Sequence, residues 1–204
     1  MHLFILIIGL VLFPQAYTLN CYLCAGGSTC TQMQCPSEKN QCGAIRMITY
    51  NGNSKTLDNT SKSCFTTQEC IKGSINFGVS RNVFTSDCCN SDLCNDKMIP
   101  EPQKPKPNGK KCYRCDGNAD CSGTLNCDGD EDQCIKASVT LEGKTHTMKG
   151  CATKSMCGSS SMSIPGLSGS VSCCEGNYCN GAKGVSANIL VLATMLMSIY
   201  FLSN

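Results

Sequence analysis

Apolar residues are distributed very unevenly along the chain. A run from Leu3 to Phe13 opens it, a second from Ile189 to Leu202 nearly closes it, and between them no stretch keeps a period of 3.6 residues. What the middle does show is alternation. Ile135, Ala137, Val139 and Leu141 are spaced by polar residues up to Glu142-Gly143-Lys144, after which Thr145 to Met148 leads back toward Cys151. This predicts a β-hairpin. Ala44 to Tyr50, followed by Asn51-Gly52 and a return toward Cys64, predicts another, because Asn-Gly suits the tight turn whose twist matches paired strands.

Counting apolar residues other than cysteine sharpens the picture. Residues 1–18 hold 13 and residues 181–204 hold 15, leaving 36 for the 162 positions between. That is too few for a conventional core, since burial worth roughly 25 cal/mol per Å² cannot offset about 1–2 kcal/mol of backbone ordering per residue. Cysteine supplies the difference: there are 20 in 204 residues, a density found in disulfide scaffolds.

The cysteines form a repeat. Cys21, Cys24, Cys30, Cys35, Cys42, Cys64, Cys70, Cys88, Cys89 and Cys94 are followed at closely matching intervals by Cys112, Cys115, Cys121, Cys127, Cys134, Cys151, Cys157, Cys173, Cys174 and Cys179. Only the longer intervals differ appreciably, as loops hung from a fixed knot would. Between the copies, Pro100, Pro102, Pro105 and Pro107 stand among five lysines, so residues 96–111 read as an extended linker. The organisation expected is a first domain at 19–95, this linker, and a second domain at 112–180.

Both termini read as targeting segments. The first run spans about 16 Å as a helix, too short for a bilayer core of about 30 Å, and is followed by Pro14 and small residues at Ala16 and Thr18; residues 1–18 are read as a secretory signal peptide. After Cys179 come small residues, a short polar spacer and an apolar tail with no basic cluster beyond it. This is the pattern of a GPI-attachment signal, with residues 181–204 removed and Asn180 the preferred attachment residue, Ala182 and Gly184 being alternatives. Asn59-Thr60-Ser61 is an N-glycosylation sequon, and a secreted chain is expected to carry a glycan at Asn59.

The residues that frame each copy, CYxC near its start and CC-x4-CN at its end, resemble the three-finger domain of the lymphocyte-antigen-6/urokinase-receptor (LU) family, a snake-toxin-like fold. The resemblance implies a small all-β, disulfide-rich protein of two tandem three-finger domains. Ten cysteines admit on the order of a thousand pairings; the family pattern implies Cys21 with Cys42, Cys24 with Cys30, Cys35 with Cys64, Cys70 with Cys88 and Cys89 with Cys94. In the second copy it implies Cys112 with Cys134, Cys115 with Cys121, Cys127 with Cys151, Cys157 with Cys173 and Cys174 with Cys179. Asn95 and Asn180 resemble the family's terminal asparagine, which hydrogen-bonds backbone at the base of the fingers.

Two branches of the family compete. Paired LU domains on a GPI tail resemble the urokinase-receptor group of surface proteins, whereas CPSEKNQCG at 35–43 resembles two-domain inhibitors of secretory phospholipases. The tail favours the first. The urokinase receptor has three such domains, the first lacking a bridge, so urokinase binding does not carry over. The expected activity is non-enzymatic binding of an extracellular protein at the outer face of the plasma membrane; a secretory phospholipase is the alternative partner.

Little else in the chain points to chemistry. With His2 in the leader, His146 is the remaining imidazole, and Gly166-Leu167-Ser168-Gly169-Ser170 lacks the final glycine of a nucleophile elbow, so no catalytic residue is expected. Asp128, Asp130 and Asp132 alternate as in a calcium loop, but Gln133 stands where its glycine belongs; an acidic turn is the better account, and no metal or cofactor is expected. Charge sums to about +1 over residues 19–180, which leaves no nucleic-acid footprint. Ile75, Phe77, Val79, Val83 and Phe84 make the densest apolar cluster of the mature chain; Phe77 and Phe84 are its candidates for a binding patch.

Overall fold

The computed structural model describes residues 18–25, 29–116, 120–141, 144–157 and 168–181. Residues 1–17 of the proposed leader, the 142–143 turn, residues 166–167, the alternative attachment residues Ala182 and Gly184 and the apolar tail lie outside them. The first copy supplies β1 (Asn20–Ala25), β2 (Thr31–Gln34), β3 (Gln41–Asn51), β4 (Ser54–Phe65), β5 (Gly73–Asn76) and β6 (Ser80–Cys89). The second supplies β7 (Pro107–Asp116), β8 (Asp120–Asp128), β9 (Gln133–Leu141), β10 (Lys144–Ala152) and β11 (Ser168–Cys174). Among the described residues the only helices are three single 3-10 turns. The all-β, disulfide-rich class expected from the sequence is the one observed.

The strands gather into two compact units. The first runs as far as Tyr50, then takes Ser54–Lys72 and Val83–Gln103; the second holds Asn51–Asn53, Gly73–Asn82 and the described residues from Lys104 onward.

In the first unit, β1 pairs antiparallel with β2 from Asn20↔Gln34 to Leu23↔Thr31, and its far end pairs with β4 through Cys24↔Lys62 and Ala25↔Ser61. Sulfur fills the centre: Cys21, Cys35, Cys42 and Cys64 are buried together, with Leu19 and Met33 packed against them. On β3, Cys42, Ala44 and Ile48 all lie on the buried face, two or four residues apart as a strand requires. The hairpin turn falls at Gly52-Asn53, one residue later than Asn51-Gly52, because β3 runs through Asn51 and the left-handed step of φ +57° is taken by Gly52.

Part of the linker is tied down in this unit. Ile99 is buried, Lys62 Nζ donates to the Asp96 carbonyl at 2.6 Å and Arg46 Nη1 to the Ile99 carbonyl at 3.0 Å. Residues 96–101 therefore form a strap on the central finger.

In the second unit, β9 lies between β10 and β11, each antiparallel to it, while β7 and β8 form a separate two-stranded sheet. The other edge of β10 is taken by β5, through Cys151↔Asn76 and Ala152↔Ile75. Cys112, Cys127, Cys134 and Cys151 make its centre, each with no exposed surface, and Ile135 and Ala137 are buried beside Ala152. The last linker residues belong here: β7 opens at Pro107, and Gly129 N donates to the Lys106 carbonyl at 2.8 Å.

Candidate functional site

Ten disulfides are formed and none of the cysteines is free. In the first copy Cys21 joins Cys42, Cys24 joins Cys30, Cys35 joins Cys64, Cys70 joins Cys88 and Cys89 joins Cys94. In the second, Cys112 joins Cys134, Cys115 joins Cys121, Cys127 joins Cys151, Cys157 joins Cys173 and Cys174 joins Cys179. Two groups of three sulfurs have metal-like proximity, Cys21/Cys35/Cys64 and Cys112/Cys127/Cys151, but every one of these atoms is in a disulfide and offers no thiolate.

Each knot is closed by an asparagine. Asn95 Oδ1 accepts from Tyr22 N at 3.0 Å, and its Nδ2 donates to the carbonyls of Tyr22 and Gly43, both at 3.0 Å. Asn180 repeats this with Tyr113: its Oδ1 accepts from Tyr113 N at 2.9 Å and its Nδ2 donates to the Tyr113 carbonyl at 2.9 Å and the Ile135 carbonyl at 3.0 Å. Both side chains are buried. They satisfy backbone groups that the short strands leave unpaired at the base of the fingers.

The fingers project from these bases, and their exposed parts are mostly polar. Residues 51–59, the tip of the central finger in the first copy, are all exposed, including sequon residue Asn59 and Leu57. Phe77 and Phe84 are half-buried. On the third finger of the first copy, built by β5 and β6, the exposed large apolar side chain is Val79, with 66% of its surface open. Val79 also accepts a hydrogen bond from Gly52 N at 3.0 Å, joining two fingertips within the second unit. In the second copy His146 is exposed on β10 opposite Val139, and Ser168, Gly169 and Ser170 are part of β11 rather than of a strand-to-helix elbow.

A charged cluster lies along the central finger of the first copy. Arg46 Nε and Nη2 grip both carboxylate oxygens of Asp58 at 2.8 and 2.7 Å; Lys55 Nζ reaches Asp58 at 2.8 Å and Glu101 at 2.9 Å. Hydrogen bonds from Arg46, then Lys55, hold the Asp58 carboxyl far below the usual carboxylate range, and the same bond to Asp58 raises the Arg46 guanidinium. The cluster fixes Glu101 and with it the strap.

The acidic turn also does something its composition does not announce. Glu131, among Asp128, Asp130 and Asp132, has no exposed surface. Ser74 Oγ donates to its Oε1 at 2.8 Å, Arg81 Nη2 lies 2.9 Å from the same oxygen, and Asp128 N donates to its Oε2 at 2.9 Å. Sequence reasoning missed both Glu131 and its partner Arg81, because nothing local distinguishes Glu131 from the exposed acids beside it. Arg46 and Asp58 were missed for the same reason: they are 12 residues apart and meet only across a hairpin.

Two family models match the two copies. The u-PAR/Ly-6 domain model matches residues 17–97 and the snake toxin and toxin-like protein model matches residues 111–180. The urokinase plasminogen activator surface receptor of Mus musculus is 30% identical over 211 residues, covering 92% of this chain and 64% of that protein. Its Rattus norvegicus counterpart is 28% identical over 211 residues, covering 92% and 63%. The chain thus spans less than two thirds of the length of these relatives. The crystal structure of mouse TEX101 covers 77% of this chain and 98% of its own, at 16% identity and a TM-score of 0.30. The chain belongs to the LU, or three-finger, family and contains two of its domains.

Proposed function

We infer that this protein is a non-enzymatic binding protein held on the outer face of the plasma membrane by a GPI lipid, presenting β-fingers to an extracellular protein ligand. The observation that carries this reading is the use of the chain's chemistry: all 20 cysteines are consumed in disulfides that build fingers. The relatives, by name, are surface receptors. Among the described residues no helix is long and apolar enough to cross a membrane. Attachment at Asn180 is compatible with its place in the second knot, since the lipid joins the residue's carboxyl carbon while the knot uses its side chain. The exposed Asn59 carries a glycan in this reading and shields the returning arm of the first copy's central finger from partners. Ligand contact then falls away from that arm of β4, on the surface where Val79 meets Gly52 at the turn, with the half-buried Phe77 and Phe84 on the same finger as Val79.

Treating expressing cells with a phosphatidylinositol-specific phospholipase C tests the anchor, and affinity capture with the anchor-free protein tests the binding role. Release into the supernatant and retention of a surface or extracellular protein, lost in Val79→Asp, are the expected results. A protein that stays with the membrane after treatment overturns the anchor. One that appears in the medium without treatment and inhibits a secretory phospholipase overturns the receptor-like reading in favour of an inhibitor.

A further inference from the structure

The two copies pair the corresponding strand with different partners and at different positions. In the first unit the end of β4 pairs with β1 at Lys62 and Ser61. By the cysteine repeat, Lys62-Ser63-Cys64 corresponds to Lys149-Gly150-Cys151. In the second unit β7 pairs with β8, and the β10 edge at Cys151 and Ala152 is taken by Asn76 and Ile75.

Three independent features hold that strand in place. The buried Glu131 receives Ser74 Oγ and Arg81, and Asn76 Nδ2 lies 3.4 Å from its other oxygen, so its charge is compensated largely by residues of this one segment. Ser74 and Thr153 are joined by one backbone and one side-chain bond: Thr153 N donates to the Ser74 carbonyl at 3.0 Å and Thr153 Oγ1 accepts from Ser74 N at 3.0 Å. Gly150 is what permits the approach. A β-carbon there would overlap the carbonyl oxygen of Asn76 and lie 3.0 Å from Cα of Phe77, whereas the matching position of the first copy carries Ser63.

We propose that residues 73–82, the tip of the first copy's third finger, are a latched component of the second unit, with Glu131 as the positioning residue and Gly150 as the gap that admits the strand. An unpaired carboxylate buried at Glu131 would be strongly unfavourable, so the segment and the acidic turn stabilise one another. The consequence concerns recognition: Val79 is displayed as a fixed part of the second unit's surface, joined to Gly52, and not on a freely moving finger.

Amide hydrogen exchange on the intact secreted protein tests this. In the native protein, residues 74–76 are expected to exchange as slowly as β9 and β10. Gly150→Ala is expected to speed exchange of 73–82 by at least about tenfold while the β1–β2 pair is unchanged, with Ser63→Ala as the control that leaves it alone. Glu131→Gln should act in the same direction. Ser74→Ala removes one hydroxyl and serves if the stronger variants are not secreted; a local rise in exchange confined to 73–82 and 128–132 supports the latch. Exchange of 74–76 as fast as the exposed tip at 54–59 in the native protein overturns it, as does unchanged exchange at 73–82 in every variant that folds.

Discussion

Asn95 and Asn180 carry a large structural load for single side chains. Each is buried and bonds to backbone N–H and C=O groups from at least two strands. Replacement by alanine strands several of these groups at once, and a buried unsatisfied group costs about 1–3 kcal/mol. Asn95→Ala and Asn180→Ala are therefore each expected to lose at least about 2 kcal/mol of stability, read as a lower denaturant midpoint with the disulfides intact. Asp58 makes a different prediction. Its folded pKa is depressed by Arg46 and Lys55, so its contribution is present at neutral pH, persists down to the ordinary carboxylate range, and is lost only as pH falls below that toward the depressed value. The strap at 96–101 should stay docked at pH 5 and loosen only in stronger acid, while Asp58→Asn should loosen it at neutral pH. Backbone amide exchange at Lys97, Met98, Ile99 and Glu101 as a function of pH measures both.

The elements owe their form to crosslinks more than to strand propensity. Short strands such as β2 and β5, four residues each, are not stable alone and are held by the bridges and bases around them. The bridges are not equally protected. Cys21–Cys42 and Cys35–Cys64 in the first copy, with Cys112–Cys134 and Cys127–Cys151 in the second, are almost wholly buried, whereas Cys30 and Cys179 are exposed. Thiol–disulfide exchange requires access of the attacking thiolate. Limited reduction followed by alkylation and mass mapping is expected to label Cys24–Cys30 and Cys174–Cys179 well before any of the four central bridges. Early loss of a central bridge would contradict the burial. The hairpin at β3–β4 was legible because Asn51-Gly52 is a strong local signal, though its turn is displaced by one residue. The strap was not. Its residues read as a proline-rich spacer, and its docking depends on Arg46, Lys55 and Lys62, which are far away along the chain.

For the whole molecule, the scarcity of apolar residues has a direct thermodynamic consequence. Each bridge contributes roughly 2–4 kcal/mol in isolation by restricting the unfolded chain. Full reduction should therefore leave a chain without cooperative unfolding in plain buffer, a result that circular dichroism and one-dimensional NMR would register directly. Two tandem three-finger domains are legible in the sequence, because cysteine spacing is a one-dimensional record of a covalent knot. The same intervals leave the pairing open, and only the family resemblance chose among the possibilities. Alternation along β9 likewise marked Ile135 and Ala137 for burial, since the period of a strand is local. Other features exist only in three dimensions. Glu131 is one acid among four until Ser74 and Arg81, more than 45 residues earlier, close around it, and Gly150 is an ordinary glycine until Asn76 lies against it. Local spacing determined what kind of scaffold this is. Which charges are buried, which finger is held and which side chain stands exposed were decided by long-range pairing, because burial and ion pairing depend on neighbours in space that no short window of sequence contains.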